Sequence, residues 1–130
     1  MKHAFALPAL ALLAACATTQ GAPMVDNAPP APGGLVAHGK SVQVGMLVAT
    51  PVQVIEDSRC PQDARCIQAG RLIVSTRIDG AGWHKIAALT LGEPRGLHGT
   101  TITLVSGVPE KSAERATPMS AYRFAFAGGE

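Results

Sequence analysis

Apolar and polar side chains alternate over much of this 130-residue chain. The segment 71–79 is the clearest example, because one of its faces carries Leu72, Val74, Thr76 and Ile78. The same period of two recurs in the segments 40–48, 52–54, 84–91, 100–105 and 121–127. Successive side chains of a strand point to opposite faces, so this period predicts strands with one buried face.

The residues between these segments indicate how the strands are connected. Turn signals rich in Gly and Pro occupy 79–82, 92–96 and 108–110, and the first of them is typical of a hairpin. No long segment has the period of an amphipathic helix. We therefore expect an all-β fold, a small antiparallel β-sandwich or barrel-like domain of about six to seven strands after a disordered tether.

Two of the predicted strands carry specific expectations. The first strand should place four side chains on one face, namely Val42, Val44, Met46 and Val48. The last strand brings three aromatic side chains to one face, namely Tyr122, Phe124 and Phe126. Because large aromatic groups gain most from burial, we expect this last strand to lie centrally in its sheet and to face the core.

The N-terminal residues have the pattern of an export signal. Lys2 precedes an apolar run without charges at 4–15. A run of roughly 7–15 apolar residues suits a secretory signal, whereas a helix that crosses a bilayer needs about 20. We therefore expect residues 1–15 to be a signal peptide rather than a membrane span.

The end of this run, Leu13-Ala14-Ala15-Cys16, resembles the lipobox of bacterial lipoproteins. The resemblance implies cleavage before Cys16 and acylation of that cysteine, with the lipid bilayer as a partner. Anchoring is stable when more than one acyl chain is attached. Ala17 follows the cysteine, which is similar to lipoproteins sent to the outer membrane, so we expect a lipid-anchored protein that faces the periplasm.

Residues 16–38 differ in composition from the rest of the chain, because Pro, Gly and Ala dominate there. Such a segment is typical of a flexible tether, and we predict that 39–130 is the β-sandwich domain. The chain has 11 basic and 9 acidic residues. A balance so close to neutral does not predict a basic patch, so we expect no nucleic acid among its partners.

The stretch DSRCPQDARC contains Cys60 and Cys66, and Cys16 is the one other cysteine of the chain. Disulfides persist in exported proteins, so we predict a structural disulfide between Cys60 and Cys66. Two alternatives remain open. A redox-active pair usually has the closer Cys-x-x-Cys spacing, and a zinc site needs four ligands, some of which histidines would have to supply.

Patterns that would indicate catalysis are weak. The serines do not lie in a Gly-x-Ser-x-Gly sequence, and the chain has no phosphate-binding glycine loop. The neighbouring acids Glu56 and Asp57 would point to opposite faces of a strand, so they cannot flank one substrate bond. We expect no enzyme activity, no cofactor and no metal.

The residues around the two cysteines resemble a known sequence motif. Glu56 to Pro61, then Cys66-Ile67 and Ala69-Gly70, are similar to the DSRCP…C-(V/I)-W-A-G motif of small exported bacterial lipoproteins that have no assigned activity. The resemblance implies a β-rich envelope domain with a Cys-Cys loop, and it brings no catalytic residues. This chain has Gln68 where those relatives commonly have Trp, so a role of that aromatic residue does not transfer.

The cysteine stretch also concentrates charge, in Asp57, Arg59, Asp63 and Arg65, which we expect to form a local network that orders the turn. Arg59, Arg65 and Trp83 are candidate contacts for an envelope protein or a cell-wall component. We expect a membrane-anchored, non-catalytic envelope lipoprotein that acts as a structural or binding module. The alternative is a small redox or metal-binding envelope protein that uses Cys60, Cys66 and a histidine.

Overall fold

The computed structural model describes residues 34–130, which form two antiparallel β-sheets of four strands each. The strands are β1 (Val36–Ala37), β2 (Val42–Val44), β3 (Leu47–Asp57), β4 (Leu72–Gly80), β5 (Trp83–Thr90), β6 (Pro94–Leu97), β7 (Thr100–Val108) and β8 (Arg123–Gly128). One sheet has the order β1-β8-β7-β6 and the other β2-β3-β4-β5. The two sheets pack against each other, which confirms the predicted all-β sandwich.

The remaining local structure is short. A single 3-10 turn, Met119–Ala121, precedes β8. Within residues 34–130, no helix is long and apolar enough to cross a membrane. The predicted signal peptide at 1–15, Cys16 and the predicted tether up to residue 33 lie outside the described residues.

The facing sides of the two sheets form one hydrophobic core. The four residues predicted to share a face of β4 are all fully buried, namely Leu72, Val74, Thr76 and Ile78. The hydroxyl of Thr76 donates to the backbone oxygen of Val74 at 3.3 Å, so this polar group is satisfied inside the core. The prediction that this segment is a strand with one buried face is therefore confirmed.

The last strand, β8, lies between β1 and β7, as its aromatic residues predicted. The side chains of Phe124 and Phe126 are buried, and so is Tyr122, which directly precedes the strand. Burying each phenylalanine contributes roughly 1.5–3 kcal/mol. The strand therefore supplies a large share of the apolar contacts that hold this sheet to the other.

The prediction that Val42, Val44, Met46 and Val48 share one face is wrong, because a hairpin interrupts that segment. A two-residue turn, Gly45-Met46, joins β2 to β3 and places Val44 opposite Leu47. Gly45 has a φ of 58°, which fits the first turn position of a type II′ hairpin. The turn inverts the alternation, so Leu47 is buried and Met46 is 77% exposed.

β3 runs through Pro51 without ending there. The pairing of β2 with β3 stops at Ala49, so at Pro51 only β4 is paired with β3. A proline can occupy such a position because it has no backbone N–H to donate to a second neighbour. The segment 52–54 is therefore part of the strand that begins at Leu47.

Residues 34–130 contain eight strands, compared with the predicted six to seven. The short edge strand β6 begins inside 92–96, which was predicted to be a loop, and Pro94 is tolerated as the first residue of an edge strand. The other short edge strand, β1, lies within 16–38, the predicted tether, and its Val36 pairs with Phe124. The paired strands therefore begin before the predicted domain boundary at residue 39.

Candidate functional site: the disulfide loop and the Trp83 cleft

The loop between β3 and β4 is closed by a disulfide. Cys60 and Cys66 are bonded, with their Cα atoms 5.7 Å apart. Two backbone hydrogen bonds close the base of the loop: Ser58 N–H donates to Arg71 at 2.8 Å and Cys60 N–H donates to Ala69 at 3.0 Å. The predicted disulfide-closed loop is confirmed, and we call residues 58–71 the disulfide loop.

Arg59 holds the disulfide loop against the body of the sandwich. Its guanidinium donates to both carboxylate oxygens of Asp57, at 2.8 and 2.9 Å. It also donates to the backbone oxygens of Gly107 at 2.7 Å and Pro109 at 3.1 Å. The side chains of Arg59 and Asp57 are only 15% and 9% exposed, so this charge pair is largely shielded from water.

Two further residues complete the bonds around Asp57. The hydroxyl of Tyr122 donates to the second carboxylate oxygen at 2.7 Å, and the Lys111 ammonium donates to the backbone oxygen of Asp57 at 2.6 Å. Burial by itself raises the pKa of the Asp57 carboxyl, but hydrogen bonds from Arg59 and Tyr122 and the charge of Arg59 outweigh it. The pKa of Asp57 therefore lies below its ordinary value, which keeps this carboxylate ionised.

The same contacts act on Tyr122 in the opposite direction. Burial and the hydrogen bond to Asp57 both raise the pKa of the Tyr122 hydroxyl, so it remains a donor to the carboxylate. Because Asp57 already accepts bonds from Arg59 and Tyr122, it has little capacity to accept a proton from a substrate. We call Asp57, Arg59, Lys111 and Tyr122 the Asp57 cluster.

The tip of the disulfide loop is docked on the segment after β7. Gln62 N–H donates to the backbone oxygen of Lys111 at 3.0 Å, and the Asp63 carboxylate accepts the N–H of Ala113 at 2.9 Å. Of the predicted charge network, Asp57 and Arg59 form the ion pair, while Asp63 bonds a backbone amide instead. Arg65 is exposed on the loop, and its side chain is in no ion pair of residues 34–130.

The three predicted contact residues therefore lie in different surroundings. The guanidinium of Arg59 is engaged in the Asp57 cluster and is little exposed. Arg65 remains exposed, beside Ile67, whose side chain is fully exposed. Trp83 lies at the opposite end of the sandwich, where β4 turns into β5.

Trp83 lines a cleft of about 400 Å³ at that end. The cleft is formed by three hairpin turns and by Glu130, two positions after β8, and its lining consists of Met46, Leu47, Ala81, Trp83, His98, Gly99, Thr100 and Glu130. We call this the Trp83 cleft. It lies among loops at one end of the sandwich, and loops on a rigid scaffold commonly carry binding residues.

The indole of Trp83 is held from two sides. His98 stacks on it, with ring centroids 4.1 Å apart and planes inclined by 16°. On the cross-strand side, a Cβ added to Gly80 would overlap the indole, so only glycine leaves room for the ring there. Trp83 therefore packs against the core and also borders the cleft.

Several of these residues were not expected from the sequence. Tyr122 and Lys111 reach Asp57 from 65 and 54 residues away along the chain, and no local pattern predicts such contacts. His98 carried one signal that could have identified it, since His-Gly directly before the alternating segment 100–105 fits a two-residue hairpin turn. Its φ of 47° is the one positive value among the non-glycine residues of 34–130.

Within the described part of the chain, no cluster of three or more His, Cys, Asp or Glu side chains could hold a metal ion.

Comparisons of this chain with protein-family models, with curated proteins and with solved structures give no match. The resemblance of the cysteine stretch to exported lipoproteins therefore stays a prediction.

Proposed function

We propose that this chain is a lipid-anchored envelope lipoprotein whose β-sandwich is a non-catalytic structural or binding module. Acylated Cys16 inserts in the outer membrane, and the segment up to about residue 34 tethers the sandwich on the periplasmic side. The partner is an envelope protein or a cell-wall component.

The observation that carries this proposal is the use of the cysteines. Of the three cysteines in the chain, Cys60 and Cys66 are consumed by one disulfide. A disulfide of this kind persists in oxidising compartments and is rare in the cytosol. The remaining cysteine, Cys16, is the one that ends the apolar run and its lipobox-like sequence. Export and lipidation account for all three.

The rigidity of the disulfide loop supports a binding role. Recognition residues are commonly carried by loops on a rigid scaffold. The disulfide, the Asp57 cluster and the hydrogen bonds of Gln62 and Asp63 fix the backbone of this loop, and the side chains of Arg65 and Ile67 are exposed on it. Arginine is enriched at protein interfaces, so Arg65 is the candidate contact of this loop.

Membrane attachment tests the proposal most simply. The full chain is expressed in a Gram-negative host, and its membranes are washed at high salt before the protein is quantified in each fraction. We expect the wild type in the membrane fraction with acyl chains on Cys16, as measured by mass spectrometry. Cys16→Ser should carry no acyl chain, because the substitution removes the site of acylation.

The matched control is the double variant Cys60→Ser, Cys66→Ser, which also loses thiols but keeps the lipobox-like sequence. It should be acylated and remain with the membrane like the wild type. A wild type that is soluble, or that binds the membrane without acylation, would contradict lipid anchoring.

A further inference from the structure

The Trp83 cleft contains side chains that its turns do not require. From its lining, we propose that the cleft binds a small organic cation with an alkylguanidinium group. The cleft lies in the folded domain at the end opposite the disulfide loop, so this site is independent of acylation at Cys16.

One hairpin turn contributes an unusual residue to the cleft. Turn positions with positive φ favour Gly, Asn and Asp, because these residues adopt that backbone at little cost. The turn between β6 and β7 instead carries His98 in the left-handed conformation, and the turn between β2 and β3 adds the exposed side chain of Met46. Both side chains border the same cleft. A residue held at an unfavourable φ is a reason to look for function.

The polar character of the lining points to a cation. Glu130 is the one acidic residue among those that line the cleft, and neither Lys nor Arg is among them. The lining also presents the thioether of Met46, the indole of Trp83 and the hydroxyl of Thr100, which are electron-rich. Such a surface attracts a weakly hydrated cation through the aromatic ring and the carboxylate.

The stacking geometry points to a flat cation. The imidazole of His98 lies nearly parallel to the indole of Trp83, which shows that this face of the ring accepts a planar nitrogen-containing group. A guanidinium is planar and stacks on aromatic faces in the same way. In the bound state it takes the place of His98, and its alkyl chain lies along the apolar side chains of Met46, Leu47 and Ala81.

The volume of the cleft also agrees with a small molecule. A cavity of about 400 Å³ is far larger than a single metal ion requires and lies within the usual range for small organic ligands. The indole of Trp83 packs against the backbone of Gly80, so the ring is already held in place before a ligand binds. Binding therefore does not include the entropic cost of ordering this side chain.

Butylguanidine and butylurea form a matched pair for the test, because both are planar and have the same chain but only the first is charged. The full chain is purified in mild detergent with its disulfide intact, and each compound is titrated while fluorescence is recorded. Trp83 is the one tryptophan of the chain, so the signal comes from the site itself. We expect saturable binding of butylguanidine and at least about tenfold weaker binding of butylurea.

Three variants separate the contributions to binding. Glu130→Gln should weaken the binding of butylguanidine by about twofold to fivefold, which is the range expected for an exposed ion pair. Glu93 lies outside the cleft, so Glu93→Gln should leave the binding unchanged. His98→Gly keeps a residue suited to positive φ and removes the competing ring. It should tighten binding by about twofold to tenfold, because no stacked pair has to be broken.

A short glycine peptide with one arginine identifies the source of the guanidinium. Tighter binding of the peptide than of butylguanidine assigns the site to an arginine of a partner chain, and weaker binding assigns it to a free small molecule. The proposal is overturned if butylguanidine gives no saturable signal or if butylurea binds equally well. It is also overturned if silver ions saturate the site while butylguanidine does not, since Met46 and His98 would then form a soft-metal site.

Discussion

At the scale of single residues, Asp57 and Arg59 are the centre of the disulfide end of the sandwich. Arg59 binds Asp57 with two hydrogen bonds and ties the loop to β7 through the backbone oxygens of Gly107 and Pro109. Tyr122 adds a bond from the start of β8. One ion pair therefore joins β3, the disulfide loop, β7 and the segment before β8.

Replacing Arg59 should destabilise the domain. Arg59→Ala leaves the largely buried Asp57 carboxylate without its charge partner, and we expect the free energy of unfolding to fall by about 2–3 kcal/mol. Urea denaturation measures this change. Arg65→Ala in the same loop is the matched control, and because Arg65 is exposed its effect should stay within about 0.5 kcal/mol. Equal effects of the two substitutions would contradict the role given to Arg59.

The lowered pKa of Asp57 predicts a dependence of stability on pH. A carboxyl whose pKa is lower in the folded state stabilises the fold above its ordinary pKa of about 3.9, and this contribution is lost as pH falls through the lower folded value. The free energy of unfolding of the wild type should exceed that of Asp57→Asn at neutral pH. This difference should become smaller below about pH 4.

Urea denaturation of both proteins from neutral pH down to about pH 3 measures that gap. Asp79→Asn, which alters an exposed pair with Arg77, serves as the control and should show little gap at any pH. A gap between wild type and Asp57→Asn that is constant, or that widens in acid, would rule out the assigned pKa shift.

The residues of the Asp57 cluster were only partly predictable. Asp57 and Arg59 are two positions apart, so their pairing could be expected from local sequence. Lys111 and Tyr122 could not be expected, because the fold brings them to Asp57 from the distant segment between β7 and β8. Arg59 was predicted to be a partner contact, but a charged residue in sequence gives no sign of whether the fold supplies acceptors for it.

At the scale of elements, β8 is the strand on which the sheet β1-β8-β7-β6 depends. It is paired on both sides, and its inward side chains Phe124 and Phe126 enter the core between the two sheets. The edge strands β1 and β6 are short and contribute less burial.

Truncation of Phe124 tests this assignment. Phe124→Ala should lower the free energy of unfolding by about 3–5 kcal/mol, because the side chain is fully buried and its removal leaves a cavity. Thermal melting followed by circular dichroism measures the loss, and Phe124→Leu provides a milder variant if the first does not fold. Val105→Ala, at a half-exposed position of β7, is the control. If Phe124→Ala melts like the wild type, the position of β8 is wrong.

The elements show where alternation is informative and where it is not. It located β4, β7 and β8 because apolar residues recur at every second position there and are buried, as at 72–78 in β4 and at 122–126 around the start of β8. Alternation failed at Gly45-Met46, where a two-residue turn separates β2 from β3. The apolar and polar residues still alternate through the turn in the sequence, but the residues that face the core change from even to odd positions. Alternation also missed β1 and β6, since two or four residues are too few to show a period and Pro94 resembles a loop residue.

At the scale of the whole molecule, the two ends of the sandwich differ in kind. One end is closed by the disulfide loop and the Asp57 cluster, and the other holds the Trp83 cleft between three hairpin turns. The disulfide adds stability because it restricts the unfolded chain, and the folded contacts of the loop add to it.

Loss of the disulfide should weaken the fold without abolishing it. The double variant Cys60→Ser, Cys66→Ser should have a free energy of unfolding about 2 kcal/mol lower than the wild type, which is the value that the chain-entropy model gives for a short loop. Urea denaturation measures the loss, and the wild type in the presence of a reductant should match the variant. A double variant as stable as the oxidised wild type would show that the bond does not brace the domain.

The central claim is that this chain is exported, acylated at Cys16 and braced by a disulfide. Mass spectrometry of the protein isolated from bacterial envelopes, digested without reduction, reads all three cysteines in one measurement. We predict an N-terminal peptide that begins at a lipid-modified Cys16 and a second species in which Cys60 and Cys66 are linked. An unmodified Cys16 within an uncleaved chain, with both other cysteines as free thiols, would contradict the claim.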